Sequence, residues 1–281
     1  MSSPRLSGSP RPPGAGRAGE RDHDLCSRKS TSPSPGGRRL PIFAFALLLC
    51  IDANADITGT VTITGKPNSK DETFYAPVAG CGEGPTRRTE NWKISPKGAL
   101  GDVVVWIIDP KFNEATELMK NVSPPEIEIR QLGCRYVPHV IAVQAGVPFK
   151  VINGDPTLHN VRANASNGPG QPPGPDLFNI GQPRQGQTDE EKFDTPGVYT
   201  LACNVHGWMQ AWVMALPVRA FGVSDTDGKF TIFQSPAESL ADGDYKIDAW
   251  HPRFADKVEQ TIHVKNGSAT VNLVFDGAKS F

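Results

Sequence analysis

The sequence predicts an all-β protein built from two small sandwiches, and three observations carry that prediction. After residue 56 no 3.6-residue apolar period is sustained, so no long amphipathic helix is encoded. The apolar runs are short and rich in Val, Ile and Thr. Gly, Pro, Asn and Asp punctuate them closely, which is the pattern of sandwiches and barrels.

Taken in order, the candidate strands begin with 57–64 (ITGTVTIT) and 103–108 (VVVWII), both dominated by β-branched residues. Next come 127–130 (IEIR), 137–143 (VPHVIAV) and 149–152 (FKVI), then 197–202 (GVYTLA) and 211–216 (AWVMAL). The last group is 229–233 (KFTIF), 245–250 (YKIDAW), 259–264 (EQTIHV) and 269–275 (ATVNLVF). A two-turn helix is expected at 114–121, where Pro124 limits extension. The Gly/Pro-rich stretch 167–175 reads as an irregular surface loop. The runs Asp225-Thr226-Asp227-Gly228 and Asp242-Gly243-Asp244 have no closing glutamate at calcium-loop spacing, so they read as plain turns.

At roughly 150 residues per domain, 281 residues suit about two domains. A formal net charge of −1 gives no basic field, which argues against a nucleic-acid partner. Residues 1–39 hold eight Ser, seven Arg, six Pro and six Gly and cannot bury enough surface to order themselves. Arg38-Arg39, the apolar run 40–51 and Ala53-Asn54-Ala55 then form a secretory signal, with cleavage expected after Ala55. As a helix, that run reaches about 18 Å across a roughly 30 Å hydrocarbon core, too short to span it. Leu49 before Cys50 suits a lipid anchor poorly, and general export and twin-arginine export both remain open. The expected location is therefore the periplasm or the exterior, with no membrane-spanning segment after processing.

Removing 1–55 takes away eight Lys/Arg and four Asp/Glu, leaving 21 against 26 and a net charge of −5. Cys26 and Cys50 go with it, so Cys81, Cys134 and Cys203 remain. Three cysteines in an oxidising compartment imply one pair and one thiol with another task.

The segment Cys203-Asn204-Val205-His206-Gly207-Trp208-Met209 lies 44 residues beyond His159 in Asn153-Gly154-Asp155-Pro156-Thr157-Leu158-His159-Asn160-Val161. A thiolate, two imidazoles and a weak thioether are the donors of a type 1 copper site. Taken singly, each has a plainer reading. A histidine is more often hydrogen-bonded or at the surface, a cysteine at a strand end is usually a small buried hydrophobe, and Met209 beside Trp208 suits a core. Zinc fits poorly because methionine is not among its usual ligands.

Residues 137–161 (VPHVIAVQAGVPFKVINGDPTLHNV) and the run F-x-x-P-G-x-Y-x-x-x-C from Phe193 to Cys203 closely resemble the cupredoxins, the plastocyanin- and amicyanin-like blue copper proteins. The resemblance covers about 137–216 and implies a Greek-key β-sandwich holding one type 1 copper. It implies His159, Cys203, His206 and Met209 as ligands, with Asn160 beside them bracing the Cys203 loop. Gly207 departs from the pattern, since these loops often carry Pro after the second histidine. Residues 59–67 and 223–275 resemble a carboxypeptidase regulatory-like (transthyretin-like) sandwich. The mature chain as a whole is similar to secreted bacterial proteins of plastocyanin-like and methylamine-utilisation-like kinds.

These resemblances divide the chain into a leader (1–55), an N-terminal β segment (56–124), a cupredoxin domain (125–217) and a regulatory-like sandwich (218–281). Segment 56–124 is expected to complete that last sandwich, with the cupredoxin inserted. With Cys203 given to copper by the resemblance, Cys81 and Cys134 are left to pair as a disulfide. The implied function is electron transfer, with no enzymatic activity, to a redox partner such as a cytochrome or periplasmic oxidoreductase. The exit is expected at a partly exposed edge of His206. Trp208 and Trp212 suit either an apolar docking patch or packing under the loop. Ala202, not His, precedes Cys203, so the Cys–His bridge of copper nitrite reductases is absent. The competing reading is a non-redox copper protein or a cell-surface, carbohydrate-binding sandwich.

Overall fold

The computed structural model describes residues 57–67, 74–75, 78–82, 87–88, 90–108, 126–232 and 240–281. The leader and signal expected at 1–55, the helix expected at 114–121 and Phe233 lie outside these residues. Among the described residues the regular structure is eighteen strands and one 3₁₀ turn at Gly277–Lys279, so the all-β expectation holds. No helix among them is long and apolar enough to cross a membrane.

The strands run β1 (Ile57–Thr64), β2 (Phe74–Tyr75), β3 (Arg87–Arg88), β4 (Val104–Ile107), β5 (Glu128–Gln131) and β6 (Tyr136–Val137). Next are β7 (Val140–Gln144), β8 (Phe149–Asn153), β9 (His159–Ala165), β10 (Asp176–Gln182), β11 (Thr188–Glu191) and β12 (Gly197–Ala202). The last are β13 (Gln210–Leu216), β14 (Phe221–Val223), β15 (Lys229–Ile232), β16 (Gly243–Trp250), β17 (Val258–Val264) and β18 (Ala269–Asp276).

A five-stranded sheet, β10-β9-β12-β13-β7, faces a four-stranded sheet, β11-β8-β5-β6. Ile129, Phe149, Val151, Val161, Leu201 and Val213 meet in the core between them. A second pair of sheets, β15-β1-β18 and β14-β4-β16-β17, encloses another core around Ile57, Val61, Val105, Ile247 and Leu273. Strand β1 runs antiparallel to β15 and parallel to β18, while β4 lies between β14 and β16. Strands from before β5 and after β13 therefore share both sheets of the second sandwich, and β5 to β13 are nested between β4 and β14.

The two sandwiches stack, which explains the unbroken apolar run of β4. Val105 and Ile107 face their own core, while Val104 and Trp106 face the other sandwich. Alternation on β13 does the same, with Ala211, Val213 and Ala215 pointing inward and Met214 and Leu216 outward. A strand covered on both faces can be apolar at every position. Trp212 packs partly buried against this seam, with its ring 6.2 Å from that of Trp250, which accords with the packing alternative.

Six strands were not anticipated, two of them the two-residue β2 and β3. β10 and β11 are sheet edges, where polar and charged side chains face water, as in the TDEE of β11. β9 carries Asn164, whose amide donates to Gly174 O and Asp176 Oδ1, so a polar residue is covered without loss. β14 has three residues. The strand expected at 137–143 breaks at Pro138, which has no N–H to give a ladder. The aspartate runs are plain turns, with Asp225 Oδ1 accepting from the N–H groups of Asp227 and Lys229.

Candidate metal centre

Parallel pairing of β5 with β8 and antiparallel pairing of β9, β12 and β13 bring three connections to one end of the first sandwich. These are 132–135, 154–158 and 203–209. Each functional side chain sits at or beside one of them.

The connection after β8 is built by Asn153. Its Oδ1 accepts from Asp155 N at 2.9 Å, and its Nδ2 donates to Thr157 O and Gln182 O. That folds Asp155 inward, where it is 6% exposed. Gly133 and Cys134 both have positive φ, 59° and 53°, and so aim successive N–H groups at the Asp155 carboxylate, at 2.7 and 2.8 Å. Asp155 Oδ2 also lies 3.0 Å from His159 Nε2. With its Nε2 proton directed at the carboxylate, His159 turns Nδ1 inward as a lone-pair donor.

On the other side, β12 ends at Ala202 and the chain turns through Cys203 to Met209. Met209 N donates to His206 O at 2.9 Å, and Cys203 N to Met209 O at 3.3 Å, closing the loop. Asn160 Oδ1 accepts from Asn204 N at 2.6 Å, while its Nδ2 donates to Asn179. Tyr136 Oη donates to Asn160 O. The loop is thus tied to β9 immediately after Cys203. At Gly207 an added Cβ would meet nothing within 4 Å, so the departure there changes loop stiffness rather than fit.

The structure brings His159, Cys203 and His206 together as one buried group. His159 Nδ1 and His206 Nδ1 are 3.1 Å apart, and Cys203 Sγ lies 4.0 and 3.8 Å from them. The point equidistant from the three atoms is about 2.1 Å from each, inside the roughly 2.0–2.3 Å range of imidazole and thiolate bonds to a first-row metal. The donor set therefore fits one ion. Met209 is buried in the same core, on the loop that carries Cys203 and His206.

The electrostatics are consistent with that fit. Burial pushes the Cys203 thiol up, but His159 and the backbone at Asn160, His206 and Val205 bring it below the usual thiol range. The ionised thiol is the ligating form. Burial would lower the His159 pKa, yet Cys203 and Asp155 outweigh it and the net direction is upward. His206 goes down, through burial and then the neighbouring His159, with Asp155 opposing.

Two features escaped the sequence. Asp155 was visible beside His159, but nothing in its spacing indicated that it would bridge His159 and the 132–135 turn. The other is a cover over His206. Cys81 and Cys134 form a disulfide, and His206 Nε2 lies 3.8 and 3.9 Å from their sulfurs. His206 is only 4% exposed, so the partly exposed edge expected for it is absent. Trp208 flanks the same ring at 5.2 Å and donates from Nε1 to Cys134 O. His139 and His251 are buried elsewhere, and His263 faces Asp244 at the surface.

No protein-family model matches the chain, and no curated protein matches it. Among solved structures, similarity extends to a copper-containing nitrite reductase of Thermus scotoductus SA-01, at 18% identity and TM-score 0.27. That match covers 34% of this chain and 23% of the reductase, so it spans about a quarter of that protein's length. A purple cupredoxin of Nitrosopumilus maritimus matches at 22% identity and TM-score 0.25, over 32% of this chain and all of its own. Amicyanin of Paracoccus versutus matches at 19% and 0.28, over 34% of this chain and 86% of its own. What the centre can do is decided by its own side chains.

Proposed function

We propose that the chain is an exported copper protein of the cupredoxin type that carries electrons. The carrying observation is the triangle of His159 Nδ1, His206 Nδ1 and Cys203 Sγ, buried and sized for one ion. Cys203 supplies the soft thiolate, the two imidazoles serve either oxidation state, and Met209 is assigned as the weak axial thioether. Bound there, copper would supply one-electron chemistry by alternating between Cu(I) and Cu(II).

The protein's own residues hold the donors still. Asp155 fixes the tautomer and plane of His159, and Asn160 anchors the loop just after Cys203. The apolar core keeps water away from Cys203, and little rearrangement is needed as charge changes. Export accords with the Cys81–Cys134 disulfide, a bond that persists in oxidising compartments. A carrier rather than an enzyme accords with the other histidines among the described residues, since His139, His251 and His263 lie apart from the group. The partner is inferred to be another redox protein, with a basic surface suited to a mature chain of net charge −5.

The test is the visible spectrum after loading with Cu(II). An intense thiolate-to-copper band is expected in the wild type and should vanish in Cys203→Ser. Weak, colourless binding that survives Cys203→Ser would rule the reading out.

A further inference from the structure

The outward edge of His206 meets neither solvent nor a polar partner. It meets a disulfide. Both sulfurs lie nearly equidistant from Nε2, at 3.8 and 3.9 Å, and both cysteines are fully buried. The bridge is held from three directions. Cys134 N donates to Asp155, and Cys134 O accepts from Trp208 of the metal loop. Cys81 closes a turn onto Val78 O, and neighbouring Gly80 lies so near Thr157 that an added Cβ would come within 2.8 Å of its side chain. A bond serving only to staple distant segments has no need to sit against a ligand ring.

We propose that the Cys81–Cys134 disulfide is the access-determining group of the metal centre. It closes the outward side of His206 and fixes the ring, so that solvent, small ligands such as azide and any docking protein are kept from the imidazole. This deepens the copper reading and rests on it for its redox meaning, but the cover itself can be tested without metal.

The experiment is carbethoxylation of the metal-free full chain with diethylpyrocarbonate, mapped peptide by peptide. In the wild type His206 should react at least about tenfold more slowly than exposed His263, the protection expected of a site reached only by local opening. In Cys81→Ser/Cys134→Ser the His206 rate should rise about tenfold or more while that of His263 stays unchanged. Equal His206 rates in wild type and double variant would overturn the proposal, as would a wild-type His206 as reactive as His263. If the double variant unfolds, buried His139 and His251 will react too, and Trp208→Phe then decides. It keeps the bridge and removes one hydrogen bond, so His206 should react about threefold faster with His139 unchanged. No change there overturns the proposal. Cu(II) spectra run in parallel separate the two readings, because a colourless wild type with His206 protected sinks the copper site and leaves the cover standing.

Discussion

The two sandwiches have the same architecture and treat buried polarity in opposite ways. In the second, buried polar groups such as Ser224 and Asp102 are satisfied on the spot. Ser224 Oγ donates to Leu100 O while accepting from Val103 N, and Asp102 pairs with Lys93 at 3.0 Å. In the first, Asn153 and Asn164 are satisfied in the same way, but His159, Cys203 and His206 converge on one point. His159 Nδ1 and His206 Nδ1 face each other, and at most one of them can donate. The difference shows where chemistry can be read from packing alone. A polar group with a local partner maintains the fold, whereas several aimed at one spot leave room for a ligand.

The sharpest way to break this division of labour is to damage the second core and watch the first site. Leu273, 1% exposed on β18, packs only in the second core, so Leu273→Ala should lower stability by about 2–5 kcal/mol. Denaturant unfolding measures this, and the copper band of the folded fraction should not move. A shifted band would mean that the seam transmits packing defects to the site.

A smaller effect is expected from the converse change. Asp155→Asn removes the charge that orients His159 while keeping its shape, so metal affinity should fall about 10- to 100-fold. Competition against a chelator measures it, and unchanged affinity would mean that the 132–135 turn alone fixes the ring.

Acid should act on the buried histidines that lie apart from the metal centre, of which His251 packs on Trp92 and Phe254 of the second core. Burial first, and neighbouring charge second, lower His251 to about 3 and His139 to about 4. The unfolded chain therefore takes up protons first as pH falls. The stability from keeping these rings neutral is intact above about pH 6.5 and is lost progressively towards pH 4 and 3. Between pH 7.5 and 6 the loss should be roughly 1 kcal/mol per histidine, read from denaturant midpoints of the metal-free protein. His251→Gln should flatten that slope, and an unaltered slope would place the titration elsewhere.

Much of this was legible in the sequence because it is local. Strands such as 57–64 and 269–275 show their residue preferences openly, and Cys203, His206 and Met209 sit on one short loop. What could not be read arises between distant segments. His206 looked free at its edge because the residues covering it lie near Cys81 and Cys134, far away along the chain. Asp155 gains its role from backbone N–H groups at 133 and 134, which carry no side-chain signature. The edge strand β11 is polar because it ends a sheet, a position that composition alone does not reveal.

The nesting of β5 to β13 has a kinetic consequence. Phe221 pairs with Trp106, so the chain departs from and returns to one ladder with the whole first sandwich in between. Closing that span as a bare loop of just over a hundred residues would cost about 4 kcal/mol in chain entropy. Yet the folded insert holds its own ends together, since Ile127 O and Leu216 O accept from Lys150 N and Ala145 N on either side of the β7–β8 turn. Folding of the insert thus prepays the closure of its host. The centre sits at the far end from this junction, so assembly of the host can proceed without passing through the metal site.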